Sequence, residues 1–177
     1  MKRYHPLLVS LHWLLAILIM VALFMGSNIL SEIPNDNPEK LFALKIHMIL
    51  GFTILVLMII RLIVRWVNEK PLPADAGNVA LTKAGIFAHY FLYLLVFGML
   101  GSGIATAIIS GLPDIVFNNS GLALPVDFNE IFPRIVHGII AKLLFIMVFA
   151  HIVGALYHQF IRKDGLFSRM WFGRNNT

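Results

Sequence analysis

Charged residues interrupt this chain rarely and in clusters. Four stretches between the clusters are apolar almost throughout. Tyr4 to Ser31 holds no Asp, Glu, Lys or Arg. Ile46 to Trp66 is apolar until Arg61 and Arg65, Ala84 to Pro113 is uncharged, and Ile135 to Ile161 carries Lys142 alone. A helix needs about 20 mostly apolar residues to cross a bilayer, and each stretch supplies them. The two-residue alternation of a membrane β-barrel is absent. The pattern predicts an all-α, transmembrane up-down-up-down four-helix bundle. Its spans are expected near 8–30, 46–66, 86–110 and 135–161, within one integral membrane domain covering 1–177. Turn-forming segments divide them: Pro34-Asn35-Asp36-Asn37-Pro38, then Pro71-Leu72-Pro73, then a longer connection from Gly111 to Arg134. Lys2 and Arg3 raise the alternative of a signal peptide, but the run is too long and ends in no A-x-A site.

Composition narrows the class. Of 177 residues, 59% are hydrophobic and 13% charged, against about 25% charged in soluble domains. That is too little charge to cover a water-soluble enzyme. The absence of cysteine excludes disulfides, thiolate zinc sites, iron–sulfur clusters, cysteine nucleophiles and covalently attached haem.

The net charge of +5 calls for no nucleic acid, because it sorts by side. Lys2, Arg3, Arg61, Arg65, Lys70, Lys83, Arg162, Lys163, Arg169 and Arg174 fall at the N-terminus, second connection and tail. The other two connections hold Lys40, Lys45 and Arg134 beside six acids, Glu32, Asp36, Glu39, Asp114, Asp127 and Glu130. The positive-inside rule places both termini in the cytoplasm.

Ionisable groups within spans signal function, and here they are histidines. His137 and His151 lie fourteen residues apart in the last span. They share a helical face and are separated by about 21 Å. One metal ion cannot bridge them, but two cofactors stacked across the membrane could each use one. Depth pairs His47 with His137 on the outer side and His12 with His151 on the inner side. Paired imidazoles with no open position are a haem arrangement. Four residues after these histidines come Ala16, Gly51, Ala141 and Ala155, small enough to admit a flat macrocycle. Val9, Tyr93 and Arg162 follow His5, His89 and His158 instead. Ordinary close helix packing would also use small residues. The third span offers a wall of Gly98, Gly101, Ser102 and Ala105. A serine nucleophile at Ser102 lacks a base at its depth on this reading. No H-E-x-x-H, Glu-x-x-His pair or phosphate-binding motif competes.

Haem propionates favour basic partners. Arg61, fourteen residues past His47, leads for the inner cofactor, with Arg65 second. Lys45, Arg134 and Lys142 are the outer candidates, for a propionate or an anion entrance. His158 and His89 lie at the inner boundary and suit a quinone headgroup. The tail from Lys163 is basic and amphipathic enough to lie on anionic lipid.

Ser10-Leu11-His12-Trp13 resembles the first-helix motif of prokaryotic cytochrome b561, and Arg61-Leu62 with Arg65-Trp66 resembles the end of its second helix. The fullest match runs from His151 through Leu156-Tyr157-His158, Phe160, Arg162-Lys163-Asp164-Gly165 and Arg169-Met170. The resemblance implies a bacterial inner-membrane protein with two haems b, ligated by His12, His47, His137 and His151. It also implies one-electron exchange with ubiquinone or another quinone, and in some members superoxide:ubiquinone oxidoreductase activity. Gln159 replaces the second of two adjacent histidines found in many members, which weakens any role needing that pair. The expected partners are lipid, quinone and an outer-side electron donor, and a homo-oligomer is compatible. The alternatives are a haem b anchor and conduit for a soluble dehydrogenase or hydrogenase, and a small non-redox transporter. The outer connections sum to a formal −3, so a superoxide entrance would depend on local placement of Lys45, Arg134 and Lys142.

Overall fold

The computed structural model describes residues 3–69, 77–118 and 120–171. Lys2, Lys70, Pro71-Leu72-Pro73, Asn119 and Arg174 lie outside the described residues. Among those described, every regular element is helical. Helix α1 is Pro6–Met25, α2 Glu39–Val67, α3 Val79–Ile109, α4 Leu112–Phe117, α5 Phe132–Leu156 and α6 Leu166–Arg169. Wider π turns prolong α1 over Gly26–Leu30 and α5 over Tyr157–Arg162. With these turns, α1, α2, α3 and α5 are the four helices long and apolar enough to cross a membrane.

Local chemistry sets the ends. Pro6 opens α1, where its missing N–H costs nothing. The Asn78 side chain caps α3 by accepting the Ala80 N–H at 2.8 Å. Helices α2 and α3 begin seven residues before the expected spans, at Glu39 and Val79. Hydropathy marks what lipid accepts, and the helical backbone continues beyond it. Lys40 lies in that added turn and is buried. Its ammonium donates to the carbonyls of Leu30 and Ile33, at the end of the first span where carbonyls lack helical partners. A charge assigned by sequence to the outer surface is thus an internal staple.

The helices pair as α1 with α2 and as α3 with α5, whereas α1 and α2 make few close backbone approaches to α5. A slot therefore runs between the two hairpins. At mid-depth it is closed by Leu15 and Leu23 of α1, Ile54 and Met58 of α2, Leu95 and Val96 of α3, and Leu144 of α5. The outward faces leave Ile17, Phe24, Phe52, Ile63 and Phe149 exposed, as a lipid-bathed bundle requires.

Tyr4 donates its N–H to the Arg169 carbonyl at 3.2 Å, on what is here the terminal face of the bundle; the opposite end is the loop face. On the loop face the third connection is more than a loop, since Leu112 and Val116 of α4 pack on Leu44. Asn35 ties two connections together by donating to the Pro125 carbonyl at 3.0 Å and the Val126 carbonyl at 3.2 Å. On the terminal face α6 folds back onto α1. The Trp13 indole N–H donates to the Met170 carbonyl at 2.8 Å, and its ring meets Phe167 and Trp171 edge-on, each at 5.9 Å. An indole N–H in an apolar setting needs an acceptor. That need, with the aromatic contacts, holds the described part of the tail on the bundle rather than flat on lipid.

Candidate functional site

Four histidines face one another across the slot in two pairs. His12 of α1 and His151 of α5 lie near the terminal face, with ring centroids 6.2 Å apart and planes at 76°. His47 of α2 and His137 of α5 lie near the loop face, at 6.3 Å and 79°. Both pairs span the gap where the hairpins are not in close contact. Leu144, seven residues from each α5 histidine and 2% exposed, sits in the apolar septum between them.

The surroundings of the two pairs differ. At the loop face α3 embraces His137. Its Nδ1 lies 3.0 Å from the Met99 carbonyl and 3.1 Å from Ser102 Oγ. A Cβ on Gly103 would meet His137 Cε1 at 3.1 Å. Sequence reasoning placed no base at the depth of Ser102, and the structure corrects this: His137 is beside it. Ser102 lies seven residues from the end of α3 and His137 five from the start of α5, so antiparallel packing brings them level. Across the slot, His47 Nδ1 is buried without a hydrogen-bond partner among the described residues.

The expected wall on α3 divides in two. Gly98 allows close packing, since a Cβ there would meet Ile140 Cδ1 at 3.3 Å. Beside Gly101, and beside Gly51 on α2, a Cβ would meet nothing within 4 Å.

Basic residues separate equally clearly. Arg134 is close enough to act electrostatically on both His47 and His137. It folds over Gly138, where a Cβ would lie 3.1 Å from its guanidinium. Lys45 instead sits over the Phe117 ring at 5.8 Å, and Lys142 is exposed on the span surface. Near the terminal face Arg61 acts on His12 and His151. It donates to Tyr93 OH at 3.1 Å and to the Leu8 carbonyl at 3.0 Å. Arg65 lies over the Tyr93 ring at 5.6 Å. Sequence reasoning read Tyr93 only as bulk after His89; it is the shared partner of both arginines.

His89 stands 5.3 Å from His151 by ring centroid. Its Nδ1–H donates to the Gly85 carbonyl at 2.7 Å, which leaves the hydrogen off Nε2 in the neutral ring. His158, in the π turn, donates from Nδ1 to the Asp164 carboxylate at 2.6 Å. Burial raises the Asp164 pKa. The His158 hydrogen bond, the Leu166 N–H and the His158 and Arg162 charges outweigh that and hold the carboxyl below its usual range.

The sequence profile of prokaryotic cytochrome b561 matches residues 3–173. The chain belongs to the prokaryotic cytochrome b561 family. A probable superoxide oxidase CybB of Yersinia pestis is 26% identical over 176 residues, covering 96% of both chains. Cytochrome b561 homolog 1 of Escherichia coli K12 is 24% identical over 172 residues, covering 96% of this chain and 97% of its own. Cytochrome b561 homolog 2 of the same organism is 27% identical over 176 residues, covering 96% and 91%. Four apolar helices and this membership make the protein a bacterial integral membrane cytochrome that transfers electrons through haem b.

The side chains present fit that cofactor. A metal–imidazole bond of about 2 Å and about 1.1 Å from ring nitrogen to centroid, on each side, sum to roughly 6.2 Å. Both pairs match this spacing, whereas His89 and His151 stand too close. The free space at Gly51 and Gly101 fits as well.

Proposed function

We propose that this cytochrome carries single electrons across the membrane from an outer-side donor, superoxide, to quinone on the cytoplasmic side. In this reading His47 and His137 hold one haem b at the loop face. His12 and His151 hold a second at the terminal face, which faces the cytoplasm as the basic residues there favour. The carrying observation is the two imidazole pairs, 6.3 Å and 6.2 Å apart, one on each side of an apolar septum. Haem b held by these imidazole pairs would supply reversible one-electron chemistry.

The remaining roles fall to the chain. Arg134 offers an anion a positive approach at the loop face, despite the formal −3 of the connections around it. Lys45 and Lys142 are placed elsewhere and contribute less. Arg61, paired through Tyr93 with Arg65, neutralises propionates at the terminal face. The imidazole of His89, exposed and next to His151, offers a hydrogen bond to a quinone entering from lipid. His158, oriented by Asp164, passes protons from the cytoplasm. The balance closes as two superoxide anions losing one electron each to leave as dioxygen, while one quinone gains two electrons and two protons. The name of the Yersinia relative favours superoxide as donor.

The test is a superoxide pulse on purified protein with oxidised ubiquinone and no other reductant. Reduction of the haem α-band followed by quinol accumulation is expected. Haem that stays oxidised while superoxide dismutates at its uncatalysed rate sinks the proposal.

A further inference from the structure

We propose that Ser102, together with the Met99 carbonyl, is the positioning device that fixes the tautomer of His137 and sets the outer haem's potential apart from the inner one's. The inference rests on the proposed ligand role of His137. Helix α3 contributes no candidate ligand to this pair, yet three consecutive features of it converge on one imidazole: the Met99 carbonyl, the Ser102 hydroxyl and the bare Cα of Gly103.

Proton accounting selects the tautomer. A carbonyl oxygen only accepts, so at 3.0 Å from Met99 O the His137 Nδ1 must carry its hydrogen. A bare Nδ1 would set two lone pairs against each other in an apolar slot. With the hydrogen on Nδ1, the Nε2 lone pair is free for iron. The Ser102 O–H donates to the same carbonyl at 3.0 Å, so Oγ presents a lone pair to Nδ1–H at 3.1 Å. The contacts thus form a closed triangle in which every hydrogen has an acceptor. Gly103 leaves the ring its place, because a Cβ there would lie 3.1 Å from Cε1 and 3.3 Å from Nδ1 and the imidazole would have to shift against both partners.

The consequence is electronic. An imidazole whose far N–H is hydrogen-bonded is a more basic ligand, and a more basic ligand favours ferric over ferrous iron. His47, opposite, has no Nδ1 partner among the described residues, so the α3 triangle is the structure's means of tuning this pair from behind. Removing Oγ takes away one of two acceptors. The Met99 carbonyl, relieved of the Ser102 O–H, then recovers part of the loss.

The test measures both haem potentials by spectroelectrochemical titration of detergent-purified protein, with ferric low-spin electron paramagnetic resonance alongside. Ser102→Ala is expected to retain two haems. Its outer potential should rise by about 30 to 59 mV, which is about a threefold to tenfold gain in the ferrous-to-ferric ratio for one electron, with the inner potential unchanged. Ser102→Thr, which keeps the hydroxyl, should restore the original value. Gly103→Ala should perturb the same haem's resonance and no other. A Ser102→Ala protein with two haems and a shift below threefold, or with equal shifts in both, overturns the inference. His137→Ala separates the layers: loss of one haem there leaves the ligand reading standing whatever Ser102 does. Retention of both haems removes the ligand reading itself.

Discussion

Gly51 provides the most discriminating test of what fills the slot. It follows His47 by one helical turn on the same face, and a Cβ added there would meet nothing within 4 Å. If that space were simple slack, Gly51→Leu would stabilise the protein. Leaving glycine gains about 0.8–1.0 kcal/mol of helix propensity, and the new methyl groups would find room. If the space belongs to a haem face, the leucine occupies it. Carbon atoms pack at about 3.5–4.0 Å, so the branched carbons would overlap the macrocycle. Overpacking of this kind costs about 1–3 kcal/mol, a loss of about 5- to 150-fold in affinity for the outer haem. Gly98→Leu is the contrast. Its Cβ already presses on Ile140 Cδ1 at 3.3 Å, so it should lower thermal stability by loosening α3 from α5. Haem content by pyridine haemochromogen, read with thermal melting by circular dichroism, distinguishes the two. Gly51→Leu should fold and hold the inner haem while losing the outer one. A Gly51→Leu protein that binds two haems with native affinity would refute the slot assignment.

Other predictions concern the ends of the bundle. Lys40→Met removes the donor to the Leu30 and Ile33 carbonyls, and each carbonyl left unsatisfied costs about 1–3 kcal/mol. The thermal midpoint should fall; an unchanged midpoint would show that the staple contributes nothing. The depressed Asp164 carboxyl adds stability that is complete above its unfolded pKa of about 3.9 and is lost as pH falls through the lower folded value. Hydrogen exchange in the 163–171 segment should therefore accelerate only below about pH 4. Asp164→Asn should lack that acid step, and an identical acid profile would contradict the assignment. Tyr93→Phe removes one acceptor from Arg61 and should shift the inner haem's potential while sparing the outer. An outer-only shift would place Arg61 at the wrong cofactor.

Much of this architecture is legible in one sequence because membranes simplify the code. The spans follow from length and apolarity, and their packing order from short connections. Helix rise alone sets His47 level with His137 and His12 level with His151, and those rings lie closest to haem-ligand spacing. What periodicity cannot give is the rotation of one helix against another. Ser102 and His137 are 35 residues apart, and only the crossing of α3 and α5 makes them neighbours. The same is true of Tyr93 and Arg61, 32 residues apart. Lys40 reads as a surface charge because hydropathy counts it as polar, whereas its long stem lets the ammonium reach buried carbonyls. The fold-back of α6 depends on Trp13 and Met170, 157 positions apart, a contact no local pattern encodes.

Haem b per chain, measured by pyridine haemochromogen on detergent-purified protein expressed with ample haem, tests the central claim most directly. The account predicts two haems in the native protein and one in each of the His47→Ala and His151→Ala variants, with the surviving spectrum differing between them. One haem in the native protein, or two retained in either variant, would contradict it.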